Sequence, residues 1–120
     1  MRRATALACL VLALTPAAAQ NETDWKPYFT FKSVTFYFSP STVARDGDVR
    51  TVKWHDTLNP QVVFESRIDC VARTITSVSA DEYDLITGEY YDTKDLSQNA
   101  QPDELGTSAS MGSHLAAAVC

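Results

Sequence analysis

The sequence predicts an α+β fold: an antiparallel sheet of about five or six strands, with a C-terminal helix packed on one face and tied to it by a disulfide. Three observations carry this expectation. Apolar and polar residues alternate with period two through much of the stretch 25–80, as in strands with one buried face. Near the end, Met111, Leu115, Ala118 and Val119 fall instead on one stripe of a helix. Once an N-terminal export signal is removed, two cysteines remain, Cys70 in a strand pattern and Cys120 at the end of the helical one.

The elements follow in order. Residues 1–19 carry Arg2 and Arg3, an apolar run from Ala4 to Leu14, and Ala17-Ala18-Ala19 before the cut. That is the three-part layout of a cleaved secretory signal. The run is shorter than the roughly 20 residues a membrane span needs, and no later stretch is apolar enough to serve, so no span is expected after cleavage. One domain over 20–120 is left. Removing Arg2 and Arg3 from the 10 basic residues leaves 8 against 15 acidic ones, a formal charge of −7. Length and charge together exclude a multidomain enzyme, a solenoid, and a nucleic-acid binder working through net positive charge.

A polar lead-in ends near Lys26. Tyr28 to Phe31 reads as a first strand, turning at Lys32-Ser33 into a second. There Val34, Phe36 and Phe38 face one way and Thr35, Tyr37 and Ser39 the other. Pro40 suits the first position of a short helical turn over Ser41–Ala44, and Asp46-Gly47-Asp48 is a turn signal. The next strand, Val49 to His55, sets Arg50, Val52 and Trp54 opposite Thr51, Lys53 and His55. After the Asn59-Pro60 loop, Val62 to Val71 places Phe64, Ser66, Ile68 and Cys70 on the core face. Thr74 to Ala80 is β-branched and pairs back through a turn at Ala72-Arg73. Residues Asp81 to Glu104 hold eight acidic side chains against Lys94 alone. They read as a loop region with one edge strand at Glu89–Asp92. The closing helix takes Thr107 or Ser108 as its cap, and Gly112 weakens it by about 1 kcal/mol relative to Ala.

In an oxidising compartment, two cysteines in an exported chain pair with each other. Closing a loop of about 50 residues stabilises a domain by on the order of 4 kcal/mol. Chemistry is otherwise sparse. His55 and Asp56 are strand neighbours pointing to opposite faces, so they form no acid–base dyad, and His55 reads as a solvent-facing residue at a strand end. His114 borders the core. No Gly-x-Ser-x-Gly elbow is present, and from Asp84 the calcium-loop positions fall on Ile86 and Gly88, which breaks that pattern. The expectation is a non-enzyme with no cofactor and no metal. The aromatic residues say more. Tyr83, Tyr90 and Tyr91 lie inside the acidic region and are candidates for contacting a protein partner that carries Lys or Arg. The alternative is that these rings pack on the open face of the sheet and the acidic stretch is only a solvated loop. A long edge strand can also pair with a second copy, giving a homodimer by sheet extension.

Several stretches taken together carry a resemblance. Val34-Thr35-Phe36-Tyr37-Phe38-Ser39-Pro40-Ser41-Thr42-Val43 runs into Ala44-Arg45-Asp46-Gly47-Asp48-Val49-Arg50 and then Val52-Lys53-Trp54. Ser66-Arg67-Ile68-Asp69-Cys70 follows, then Arg73-Thr74-Ile75, and Gly112 to Cys120 ends in Ala118-Val119-Cys120. The order of these pieces resembles the surface-adhesin protein E-like family, small exported proteins of Gram-negative bacteria. The resemblance runs from Trp25 to Cys120. It implies an antiparallel α+β fold, location in the periplasm or at the cell surface, and a link to adhesion, since the family's namesake binds host extracellular-matrix proteins and dimerises. A second expectation stands beside it: a periplasmic accessory or structural envelope protein, or an inhibitor of a periplasmic enzyme.

Overall fold

The computed structural model describes residues 24–106 and 110–120. The export signal read at 1–19, and the caps read at Thr107 and Ser108, lie outside the described residues. In chain order the strands are β1 (Lys26–Phe31), β2 (Val34–Phe38), β3 (Ala44–Asp46), β4 (Val49–Asp56), β5 (Val62–Asp69), β6 (Thr74–Tyr83), β7 (Tyr90–Asp95) and β8 (Asp103–Glu104). One helix follows, α1 (Met111–Val119). The main sheet runs β1-β2-β4-β5-β6-β7 and curls into a half-barrel, with β3 paired to β4 and β8 to β6. The α+β fold with its helix and disulfide is thus as expected.

The β4–β5, β5–β6 and β6–β7 loops share one device. Asp69 Oδ1 accepts the backbone N–H groups of Val71 and Ala72, Asp84 Oδ1 those of Ile86 and Thr87, and Asp56 Oδ1 those of Leu58 and Asn59. A short acidic side chain that bonds the backbone two and three residues on replaces water on groups the strand has just released. The β5–β6 and β6–β7 loops are closer still. In each the fourth residue after the aspartate has positive φ, Arg73 at 61° and Gly88 at 74°, and its N–H returns to the carbonyl of that aspartate.

The core lies between the concave sheet face and α1. Val52, Ile68, Leu105, Leu115, Ala116 and Val119 are buried together with Trp54. The strand parity is the expected one: Val52 pairs with Ser66 and Trp54 with Phe64. The Trp54 and Phe64 rings stack at 4.6 Å, while Trp54 Nε1 donates to the buried Ser66 Oγ at 3.0 Å. That bond explains a serine on a core face, because a buried indole N–H needs an acceptor.

Three details differ from the sequence expectation. The one-turn 3₁₀ helix covers Pro40–Thr42, and Ala44 belongs to β3, drawn into the ladder opposite Thr51. Ser110 caps α1, accepting from Ser113 N at 3.1 Å. The apolar stripe runs through Leu115, Ala116 and Val119, with Ala118 exposed. It is rotated because Gly112 meets the core side: a Cβ there would lie 3.3 Å from Leu105 Cδ2 and 3.6 Å from Ile75 Cγ2. Gly112 weakens the isolated helix yet lets it approach the sheet. The Cys70–Cys120 disulfide then joins the helix end to the end of β5, its Cα atoms 5.8 Å apart.

The lead-in is also fixed in place. Asp24 accepts hydrogen bonds from Ser39 Oγ, Ser41 Oγ and Ser41 N. Its carboxyl is held below the usual carboxylate range, first by the Ser39 bond.

Candidate functional site: the β6–β7 hairpin

Nearly half of the acidic stretch is strand, where the sequence suggested loop with one short edge strand. β6 continues through Asp81 and Glu82 to Tyr83, and β7 runs to Asp95. Both charged residues of β6 are kept in extended backbone because the strand is paired on each side, to β5 and to β7. Lys94 Nζ lies 3.0 Å from Glu82 Oε2 across that ladder. Thr93 Oγ1 donates to Asp81 Oδ1 at 2.8 Å and also bonds the Tyr90 hydroxyl. A bulge in the β5–β6 ladder, where Glu65 pairs with Ser79 but Ser66 with Ser77, and a second between Glu82 and Tyr83 add twist to this corner.

The three tyrosines have different surroundings. Tyr83 is only 8% exposed, so its ring serves packing and offers little area. Tyr90 touches it edge-on at 6.0 Å but is itself 57% exposed, and Tyr91 is 75% exposed. Tyr83 pairs with Tyr90 and Glu82 with Asp92, so Tyr91 is the extra residue of a bulge in this ladder. Sequence reasoning overlooked two further exposed residues here, Leu85 at 70% and Ile86 at 94%, which form the tip of the loop. The signal was present: two adjacent large apolar residues between a turn-forming Asp and a Thr-Gly pair cannot both be core. The tip is held by Asp84 bonds to Ile86 N and Thr87 N, each 2.9 Å, by Asp84 N to the Glu89 carbonyl at 2.7 Å, and by Glu89 N to Thr87 Oγ1 at 3.2 Å. The Asp84 carboxyl is held below its ordinary range by the Thr87 and Ile86 N–H groups. Every residue of β7 is exposed, and among the described residues no strand pairs with its outer edge.

On the opposite edge of the sheet, Phe29, Phe31, Val34, Phe36, Leu58 and Met111 line a groove of about 320 Å³ that includes Asp56. A cleft beside the disulfide is lined by Arg73, Ser113, His114 and Cys120. His114 stacks on Phe29 at 4.4 Å, bordering the core as expected. His55 is not solvent-facing. It lies half-buried, stacked on Tyr37 at 5.1 Å and met edge-on by Trp25 at 4.4 Å, because the Asp24 contacts fold the lead-in back over β4. Its Nδ1 is buried with no partner among the described residues, and burial pushes its pKa down. The Tyr28 hydroxyl is likewise buried without a partner, and desolvation first, the Asp56 charge second, push it far above the usual phenol range.

Among the described residues no group of three or more His, Cys, Asp and Glu is placed to hold a metal ion. No described helix is long and apolar enough to cross a membrane. Comparison with family models, with curated proteins and with solved structures gives no match to this chain.

Proposed function

We propose that this chain is an exported, non-enzymatic binding protein of the adhesin E-like kind, which engages a protein partner through the β6–β7 hairpin. The observation that supports the reading is the fixed tip: Leu85 and Ile86 expose large apolar side chains on a loop whose backbone is already hydrogen-bonded into shape, and Tyr90 and Tyr91 stand exposed beside it at the start of β7. Exposed apolar groups gathered at one place mark interaction surfaces, and a pre-ordered loop has less conformational freedom to lose on binding. The acidic neighbours Asp81, Asp84, Glu89 and Asp92 favour a partner carrying Lys or Arg. The open β7 edge adds backbone donors and acceptors, so a partner strand, or a second copy, can extend the sheet.

The test is capture of purified extracellular-matrix proteins by the immobilised chain, compared with a Leu85→Ser, Ile86→Ser, Tyr91→Ala variant. Capture by the parent alone supports the reading, and equal capture by both removes the hairpin from it. Protease treatment of intact producing cells separates the adhesin role from a periplasmic accessory role. Degradation there, while a periplasmic control survives, supports display at the surface. Protection until the outer membrane is opened transfers the hairpin to an envelope partner.

A further inference from the structure

The groove at the β1–β2 edge combines three properties that together select a ligand class. Its walls are aromatic and aliphatic: Phe29, Phe31, Phe36, Leu58 and Met111. At about 320 Å³ it lies within the range of small-molecule sites, roughly 300–1,000 Å³. One charged group, Asp56, lines it, and that residue is only 6% exposed. Phe31 and Leu58 stand 58% and 71% exposed at the mouth.

Asp56 fulfils its structural role with one oxygen. Oδ1 accepts both loop N–H groups, from Leu58 and Asn59 at 2.9 Å each. Asp56 is the carboxylate among these apolar walls, and a cation entering the groove is attracted more strongly there than at the solvated surface. Aromatic faces add to that attraction through their quadrupole. Phe31 already shows this, with the Lys32 ammonium 5.5 Å over its ring.

Two positive influences oppose a cation. Lys32 is exposed and screened by solvent. The first turn of α1 has Ser113 N committed to Ser110 Oγ. Asp56 is the charge inside the groove, so its sign decides.

The geometry points to a binding site for a small aromatic ammonium compound, its ring among Phe29, Phe36 and Met111 and its cationic nitrogen toward Asp56. This site is independent of the hairpin and of what the hairpin binds.

The experiment is an NMR titration of the full chain with tryptamine, using indole-3-propionate as a comparison that keeps the ring and reverses the charge. Saturable shifts at Val34, Leu58 and Met111 methyl groups are expected with tryptamine, and at least tenfold weaker binding with the anion. Asp56→Asn keeps a carbonyl oxygen for the loop N–H groups and should lower tryptamine affinity about tenfold while removing the preference for the cation. Leu58→Gln, at the exposed mouth, should weaken both probes. Equal affinity for the two probes, an unchanged affinity in a folded Asp56→Asn variant, or no saturable shift at millimolar tryptamine overturns the assignment. Should Asp56→Asn fail to fold, the comparison of the two probes on the unsubstituted chain decides alone.

Discussion

Replacing Cys70 and Cys120 by serine, singly and together, isolates what the disulfide contributes. The two residues are 50 positions apart, and the loop they close holds β6, β7, β8 and α1. Chain-entropy arithmetic for a loop of that length gives about 4 kcal/mol. The helix has contacts of its own: Leu115, Ala116 and Val119 are at most 6% exposed against Val52, Trp54 and Ile68. Its docking therefore survives loss of the bridge, and the cost is the loop entropy alone. With a urea slope near 1.5 kcal/mol/M, inside the roughly 1–3 range of small proteins, the midpoint falls by about 2–3 M. Trp54, buried on β4, reports unfolding by fluorescence. Both single variants and the double variant should lose the same amount, because either one opens the same loop. Additive losses, or a loss below about 1 kcal/mol where the entropy model gives 4, would refute the reasoning.

Tyr83→Ala should cost about 3 kcal/mol, the lower end for a buried aromatic, whereas Tyr91→Ala, 75% exposed, should stay within about 0.5 kcal/mol of the parent; urea midpoints for the pair test this, and equal losses contradict the assigned burial. His55 sets a pH dependence. Its folded pKa is lowered by burial, so the unfolded chain binds more protons as pH falls through the unperturbed value near 6.5. Stability should therefore decline between pH 7.5 and 5, and His55→Gln should flatten that decline; a variant with the parent's slope assigns it elsewhere. Gly112→Ala gains about 1 kcal/mol of helix propensity, but its Cβ meets Leu105 at 3.3 Å. Leu105 is 2% exposed and has little room to yield, so thermal unfolding should show no net stabilisation, against the full gain expected at an open site.

The sheet was legible wherever one face is buried and the other is not. Val52 and Trp54 on β4 and Phe64, Ser66 and Ile68 on β5 keep strict alternation, and their pairing follows it. Legibility ended where neighbours, rather than local pattern, decide conformation. Asp81 and Glu82 are poor strand residues by composition, yet β5 and β7 hold them extended from both sides. Acidic residues act in the loops as acceptors, a role the sequence reading did not assign: Asp56, Asp69 and Asp84 each bond two N–H groups, and Asp95 bonds Ser97. The Asp24 contacts join residues 15 and 17 positions apart, a separation no periodicity reveals, and His55 was misplaced for that reason. Of the three tyrosines, parity alone did not separate buried Tyr83 from exposed Tyr91, because the bulge at Glu82–Tyr83 shifts the register between them.

The same Cys70–Cys120 bond has a mechanical meaning. Tension applied at Cys120 passes through the sulfur atoms directly to the end of β5 and bypasses the polypeptide between. At roughly 3.3–3.6 Å per residue, the 50 intervening positions keep about 170 Å of contour length out of reach of the pull. The hairpin tip at Leu85 and Ile86 lies inside that protected stretch. A chain tethered through its C-terminal end can be stretched until the strands before Cys70 yield, while the covalent loop that carries the tip is not drawn out.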